Sequence, residues 1–152
     1  MVHDGRLDLS NPTRDGGTQD ESPDDVVYVE DMVRRRGYAL MYHRVLAKQD
    51  LPVLKAADNL VSAAYLETRT LDRMTKELLF VLSLTVLRAD PAHIAVHIRV
   101  ALEVGATPTE VLEAIEIALP EAGVVAFQHG FEVWRDVVDA DGVVLESDES
   151  AP

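Results

Sequence analysis

The sequence predicts an all-α fold, a single domain of about six helices. Three observations carry that prediction. Apolar residues return every three or four positions through residues 24–140, the spacing of a buried helix face. Three helix starts pair a capping residue with a proline in the first turn: Asp50-Leu51-Pro52, Asp90-Pro91 and Thr107-Pro108. Aromatic residues make up only 5% of the 152, against abundant Ala, Leu and Val, a composition that suits closely packed helices, and no segment alternates as a strand does.

Asp24 or Asp25 caps a first helix that carries Val29, Met32, Val33, Leu40 and Val45 to about Lys48, with Gly37 a candidate break midway. Asp50 opens a second, to about Thr68, with Leu54, Ala57, Leu60, Val61, Ala64 and Tyr65 expected on its inner side. Asp72 starts a third, running to Leu87; it is almost wholly apolar after Glu77 and is expected to be buried on most sides. The fourth runs from Asp90-Pro91 to Gly105. Thr107-Pro108-Thr109-Glu110 opens the fifth with a capping box, and Pro120 is expected to end it near Leu119. The sixth spans Glu121 to about Asp139, where Val124, Val125, Phe127, Phe131 and Trp134 form a broad apolar surface that calls for cover.

Residues 1–23 are polar and rich in Gly and Pro and read as a disordered leader; residues 141–152 read as an acidic flexible tail. The ordered domain is then 24–140. The net charge of -13, from 14 basic and 27 acidic side chains, argues against binding nucleic acid or an anionic membrane surface. The longest apolar run, Leu78 to Leu87, is half of what a membrane span of roughly twenty residues needs. The leader lacks the apolar stretch of a signal peptide, and the expected location is the cytoplasm. There is no cysteine, so disulfides, thiolate nucleophiles and thiolate metal ligands are all excluded.

Three segments share an order and spacing: Lys76-Glu77-Leu78-Leu79, then His97-Ile98-Arg99-Val100-Ala101 through Gly105-Ala106-Thr107-Pro108, then Glu121-Ala122-Gly123-Val124. Together, over about 60 residues, they resemble the carboxymuconolactone decarboxylase and alkylhydroperoxidase D superfamily. The resemblance implies a small helical fold assembled as trimers or hexamers, with a pocket near subunit contacts and an acidic site residue at the place of Glu77. The peroxidase branch carries two cysteines three residues apart and a His four residues after the second. The matching places here hold Asp90, His93 and His97. Without a thiolate to attack peroxide and a thiol to resolve the product, thiol peroxidase chemistry is excluded. The decarboxylase branch keeps the His of position 97, but this chain departs from it with Glu121 where an aromatic residue is usual, and with His93 and His129.

His93 and His97 lie four apart, which on a helix places both rings on one face, roughly 6 Å apart at Cβ. With Glu77 and Glu121 they could hold one zinc, manganese or ferrous ion. His97 with Glu77 could equally work as a metal-free acid–base pair, and all four residues have structural readings: packing for the imidazoles, first-turn acids for the carboxylates. Asp90 reads first as an N-cap, although it is a further candidate ligand. His129, two turns beyond Glu121, is a further candidate ligand and a candidate for the pocket or an interface, whereas His43 reads as a surface or interface residue. Arg34-Arg35-Arg36 reads as a solvated face or an intersubunit ion-pair patch. Nothing in the chain signals a flavin or nicotinamide cofactor.

By that resemblance, the expected function is a metal-assisted or His/Glu acid–base lyase or isomerase acting on a small carbonyl-containing acid. Decarboxylation of such a compound leaves a carbanion that needs an electron sink and then a proton. A divalent cation can polarise the accepting carbonyl, and an imidazole, which titrates near working pH, can deliver the proton. The alternative is a non-catalytic oligomeric binding or scaffold protein that has lost the ancestral activity.

Overall fold

The computed structural model describes residues 23–140 and 142; the expected leader and tail lie otherwise outside the described residues. Among the described residues there are eight α-helices and no strand.

The first, α1 (Pro23–Arg36), has Asp24 and Asp25 in its first turn and three arginines in its last, both favourable to the helix dipole. Gly37 ends it, with φ at 93° and its N–H donating to the Val33 carbonyl at 2.7 Å. A side chain is strained in that left-handed conformation. The long first helix expected to reach Lys48 is therefore two helices, and α2 (Met41–Gln49) begins only after a turn at residues 37–40. Asp50 caps α3 (Leu51–Val61), its carboxylate accepting from the Val53 N–H at 3.2 Å. The helix then widens into a π-turn, Ser62–Leu66, which carries Tyr65. Val29, Met32, Ala47 and Leu54 close a small core between these three helices. The expected inner face of α3 needs correction: Ala57, Leu60 and Ala64 face outward, and besides Leu54 the buried residues of this stretch are Asp58 and Tyr65.

Asp72 caps α4 (Arg73–Val86), accepting from the Thr75 N–H at 2.7 Å. Leu79 and Ser83 face out, so α4 is less enclosed than its apolar run implied. Asp90 caps α5 (Pro91–Glu103), and Thr107 with Glu110 forms the expected reciprocal box at the start of α6 (Pro108–Glu116). Pro120 does not end a helix. It is the third residue of a short α7 (Ala118–Ala122), where a missing N–H costs nothing because first-turn donors have no intrahelical acceptor. The break falls at Gly123, and α8 (Val124–Ala140) follows.

The main core lies between α4, α5, α6 and α8, filled by Val81, Ile94, Ile98, Val111, Ile115, Val133 and Val137. Trp134 joins it, its indole N–H donating to the Pro108 carbonyl at 3.0 Å, and Phe127 and Phe131 lean against it. Of the apolar surface expected on the last helix, Val124 and Val125 are the exposed part. At the crossing of α4 and α8, Gly130 leaves no room for a side chain: a Cβ there would lie 2.5 Å from Thr85 Oγ1.

Candidate functional site

The site forms where the three amino-terminal helices meet the four-helix body. Glu77, one turn into α4, and His97, in the middle of α5, are both buried, 0% and 1% exposed. His97 Nδ1 lies 2.8 Å from Glu77 Oε2. An ionised carboxylate can only accept, so Nδ1 carries a proton, and in the neutral ring Nε2 then presents its lone pair. That nitrogen faces the hydroxyl of Tyr38 at 3.2 Å, which donates to it when the ring is neutral.

Glu77 has further partners. Tyr65 Oη donates to its Oε1, and Arg73 Nε, one helical turn away, donates to the same oxygen at 2.6 Å. Arg73 also donates through Nη2 to Tyr65 Oη at 2.8 Å and to the Arg36 carbonyl at 3.0 Å. Burial alone pushes the carboxyl of Glu77 up, but the donors His97, Tyr65 and Arg73 outweigh it and hold its pKa below the usual range. Burial drives Tyr38 up to about 12, and burial with the hydrogen bond to Glu77 raises Tyr65 further. Both phenols are therefore protonated at neutral pH. Phe80 stacks on the His97 ring with centroids 4.7 Å apart and planes 9° off parallel, while Tyr38 meets it edge-on at 5.1 Å. These packed rings fix the orientation of the imidazole.

His93 lies one turn before His97, half-buried, with ring centroids 5.4 Å apart. Burial and the neighbouring His97 lower its pKa and favour the neutral ring. The other sequence candidates lie elsewhere. Glu121 is exposed on α7, in another cleft with Leu82, Ser83, Val86, Leu87 and Ile117, and touches neither Glu77 nor His97 in any hydrogen bond among the described residues. Asp90 is an exposed N-cap bonded to the Ala92 N–H at 2.8 Å. His129 is engaged through Nε2 with the Ala89 carbonyl at 2.7 Å, fastening α8 to the turn before α5. His43 is not a surface residue. It is buried, its Nδ1 accepts from the Leu40 N–H at 2.9 Å, and burial with the nearby Arg36 lowers its pKa to about 4.

The four proposed metal ligands do not converge. Among the described residues no group of three or more His, Asp or Glu is arranged to hold an ion. The donor chemistry gives the reason. Both oxygens of Glu77 and both nitrogens of His97 are already committed to side chains, and one of the donors to Glu77 is the Arg73 cation. As arranged, these residues do not fit a divalent metal.

Tyr38, Tyr65, Arg73 and Phe80 were not singled out from sequence as site residues, and neither was Asp58. Asp58 is buried on α3 and accepts from Tyr28 Oη at 2.8 Å, from Arg35 Nη2 at 2.6 Å and from Arg36 Nη2. The arginine run is accordingly not all solvated: Arg34 is exposed, but Arg36 is 4% exposed and locked to Asp58. An apolar cleft of about 230 Å³, lined by Ala64, Tyr65, Lys76, Leu79, Phe80 and Ser83, shares two of its walls with the site. Phe80 also touches His97, and Tyr65 also bonds Glu77.

A cysteine-free helical domain whose consecutive helices bury a carboxylate-backed imidazole defines the class. Residues 52–136 match the family model described as the carboxymuconolactone decarboxylase family, more than half of the chain. The chain belongs to that family. It is also similar in structure to a carboxymuconolactone decarboxylase family protein from Thermotoga maritima, at 24% identity and a TM-score of 0.50, over 79% of this chain and 96% of that one. No curated protein matches significantly. Among the described residues, no helix is long and apolar enough to cross a membrane.

Proposed function

We propose that this protein is a metal-free acid–base enzyme that moves protons on a small carbonyl-containing acid, in a decarboxylation, carbon–carbon cleavage or isomerisation. The observation that carries the reading is the 2.8 Å contact between His97 Nδ1 and Glu77 Oε2 inside the protein. Glu77 fixes the tautomer and stabilises the imidazolium that forms when Nε2 takes a proton, and in the low local dielectric that stabilisation is stronger than in water. Arg73 and Tyr65 keep Glu77 an anion, so it acts as an orienting charge and does not itself carry the proton. This is the carboxylate–imidazole half of the triad arrangement of hydrolases, without their nucleophile.

His93, half-buried one turn before His97, would add a polar group near the pair. The exposed Leu60 and Leu79, with Val124 and Val125, supply apolar surface for the trimeric or hexameric assembly that the family resemblance implies. An antioxidative role, suggested for the Thermotoga maritima relative, would here have to run without thiols.

A panel of small keto acids and carboxylated lactones, followed by NMR for loss of carbon dioxide, isomerisation or solvent-deuterium uptake, tests the reading. Turnover that falls at least about 100-fold in both His97→Gln and Glu77→Gln is the expected result. No turnover across the panel by folded wild-type protein would leave the scaffold reading in its place.

A further inference from the structure

The proposed pair is sealed. Glu77 and His97 are buried, and Phe80 and Tyr65 stand between them and the apolar cleft. No molecule in solvent can touch either group directly, so a proton must leave the pair through something else. Tyr65 cannot serve, because its hydroxyl is itself buried, donates to Glu77 and accepts from Arg73. Tyr38 differs as a residue: part of its surface is open, and its hydroxyl is bonded to the imidazole instead of the carboxylate. It is half-buried, it lies on the turn between α1 and α2, and its hydroxyl donates to His97 Nε2.

From this geometry, and resting on the acid–base reading above, we infer that Tyr38 is the catalytic residue that meets the substrate, the outer end of a Glu77–His97–Tyr38 proton relay. Its placement is built into the backbone. Gly37, at φ 93°, turns the chain after α1, Arg36 on one side of it is locked to Asp58, and the Arg36 carbonyl is held by Arg73. The phenol is thereby presented to His97 from an element outside the four-helix body. Tyr38 is protonated at neutral pH, as a relay donor must be.

The step balances without an oxidant or a metal. A substrate C–H bond next to a carbonyl breaks, its proton passes to the Tyr38 oxygen, and the Tyr38 proton passes to His97 Nε2. The electron pair of the C–H bond stays on the substrate as an enolate, and the imidazolium is matched by the Glu77 carboxylate. Reversal returns a proton to the same carbon or to its vinylogous neighbour.

The test uses the full chain and levulinate, a stable keto acid, in heavy water, with proton NMR following deuterium uptake beside the ketone. Wild-type protein is expected to accelerate uptake, and Tyr38→Phe and His97→Gln each to slow it at least about 100-fold. The double variant should be no slower than either single one, because the groups act as a unit. Tyr38→Phe should keep the His97 Nδ1–H resonance, which shows the pair with Glu77 intact, and Tyr42→Phe should match wild type. Should Tyr38→Phe fold poorly, 3,5-difluorotyrosine at position 38 keeps the ring and acidifies the phenol, and it should shift the pH profile of uptake; an unchanged profile overturns the inference. Wild-type rates in Tyr38→Phe with His97→Gln inactive also overturn it and spare the acid–base reading. Wild-type protein that exchanges nothing overturns both.

Discussion

Arg73 joins the two halves of the molecule through the carbonyl of Arg36: its Nη2 donates there at 3.0 Å while its Nε holds Glu77 at 2.6 Å. One guanidinium thus ties the end of α1 to the charged centre of the site, and its face lies 4.2 Å from the centroid of the Tyr65 ring. Replacing it with Met keeps much of the volume but leaves a buried carboxylate without its cation and a carbonyl without its donor. Because Arg73 is partly exposed, the expected loss is about 2 kcal/mol, read by urea unfolding.

The Asp58 cluster predicts a larger effect. Asp58→Ala leaves Arg36 buried without a counter-charge and should cost about 3–5 kcal/mol, whereas Arg34→Ala, which breaks an exposed pair with Asp31, should cost less than about 0.5 kcal/mol. Equal losses in the two variants would contradict the buried reading.

Stability should fall in acid in two stages. His43 titrates at 6.5 when unfolded and about 4 in the fold, so the unfolded state binds the proton first. Its contribution is complete above pH 6.5 and fades as the pH drops through that window, a loss on the order of 3 kcal/mol. Glu77, whose folded pKa lies below 4.5, adds a second loss beneath that value. Unfolding free energies measured across this range should show the first stage vanish in His43→Gln.

Gly130→Ala should destabilise by about 1–3 kcal/mol, because the new methyl meets Thr85 Oγ1 and the two helices cannot separate cheaply. Among the described residues nothing hydrogen-bonds the buried Thr85 hydroxyl, so Thr85→Ala removes both the clash and a polar group without a partner there. The double variant should recover most of the loss, a coupling that thermal melts can measure.

What the sequence made legible was short-range. Asp50, Asp72, Asp90 and Thr107 cap helices as expected because a cap and its acceptor N–H lie two or three residues apart. Gly37 marked the break that the structure places there. The partners of the site residues were hidden because they are distant in sequence: Tyr38 reaches His97 across 59 positions and Arg73 reaches the Arg36 carbonyl across 37. No local pattern distinguishes a tyrosine in a turn from any other. Asp58 gave no local signal because its three donors on α1 lie 22 to 30 positions away, and His43 reads as a surface or interface residue until the Leu40 N–H is seen to need its ring. Glu121 follows Pro120 in a short helix that the expected stop concealed, and this carries it to a different cleft.

Metal-free chemistry at His97 is the central claim, and solvent-deuterium uptake by levulinate in the presence of a strong chelator tests it most directly. The rate should be unchanged by chelation and should fall at least about 100-fold in His97→Gln. A rate that vanishes with the chelator and returns with zinc, manganese or ferrous iron, or one that His97→Gln leaves intact, would contradict it.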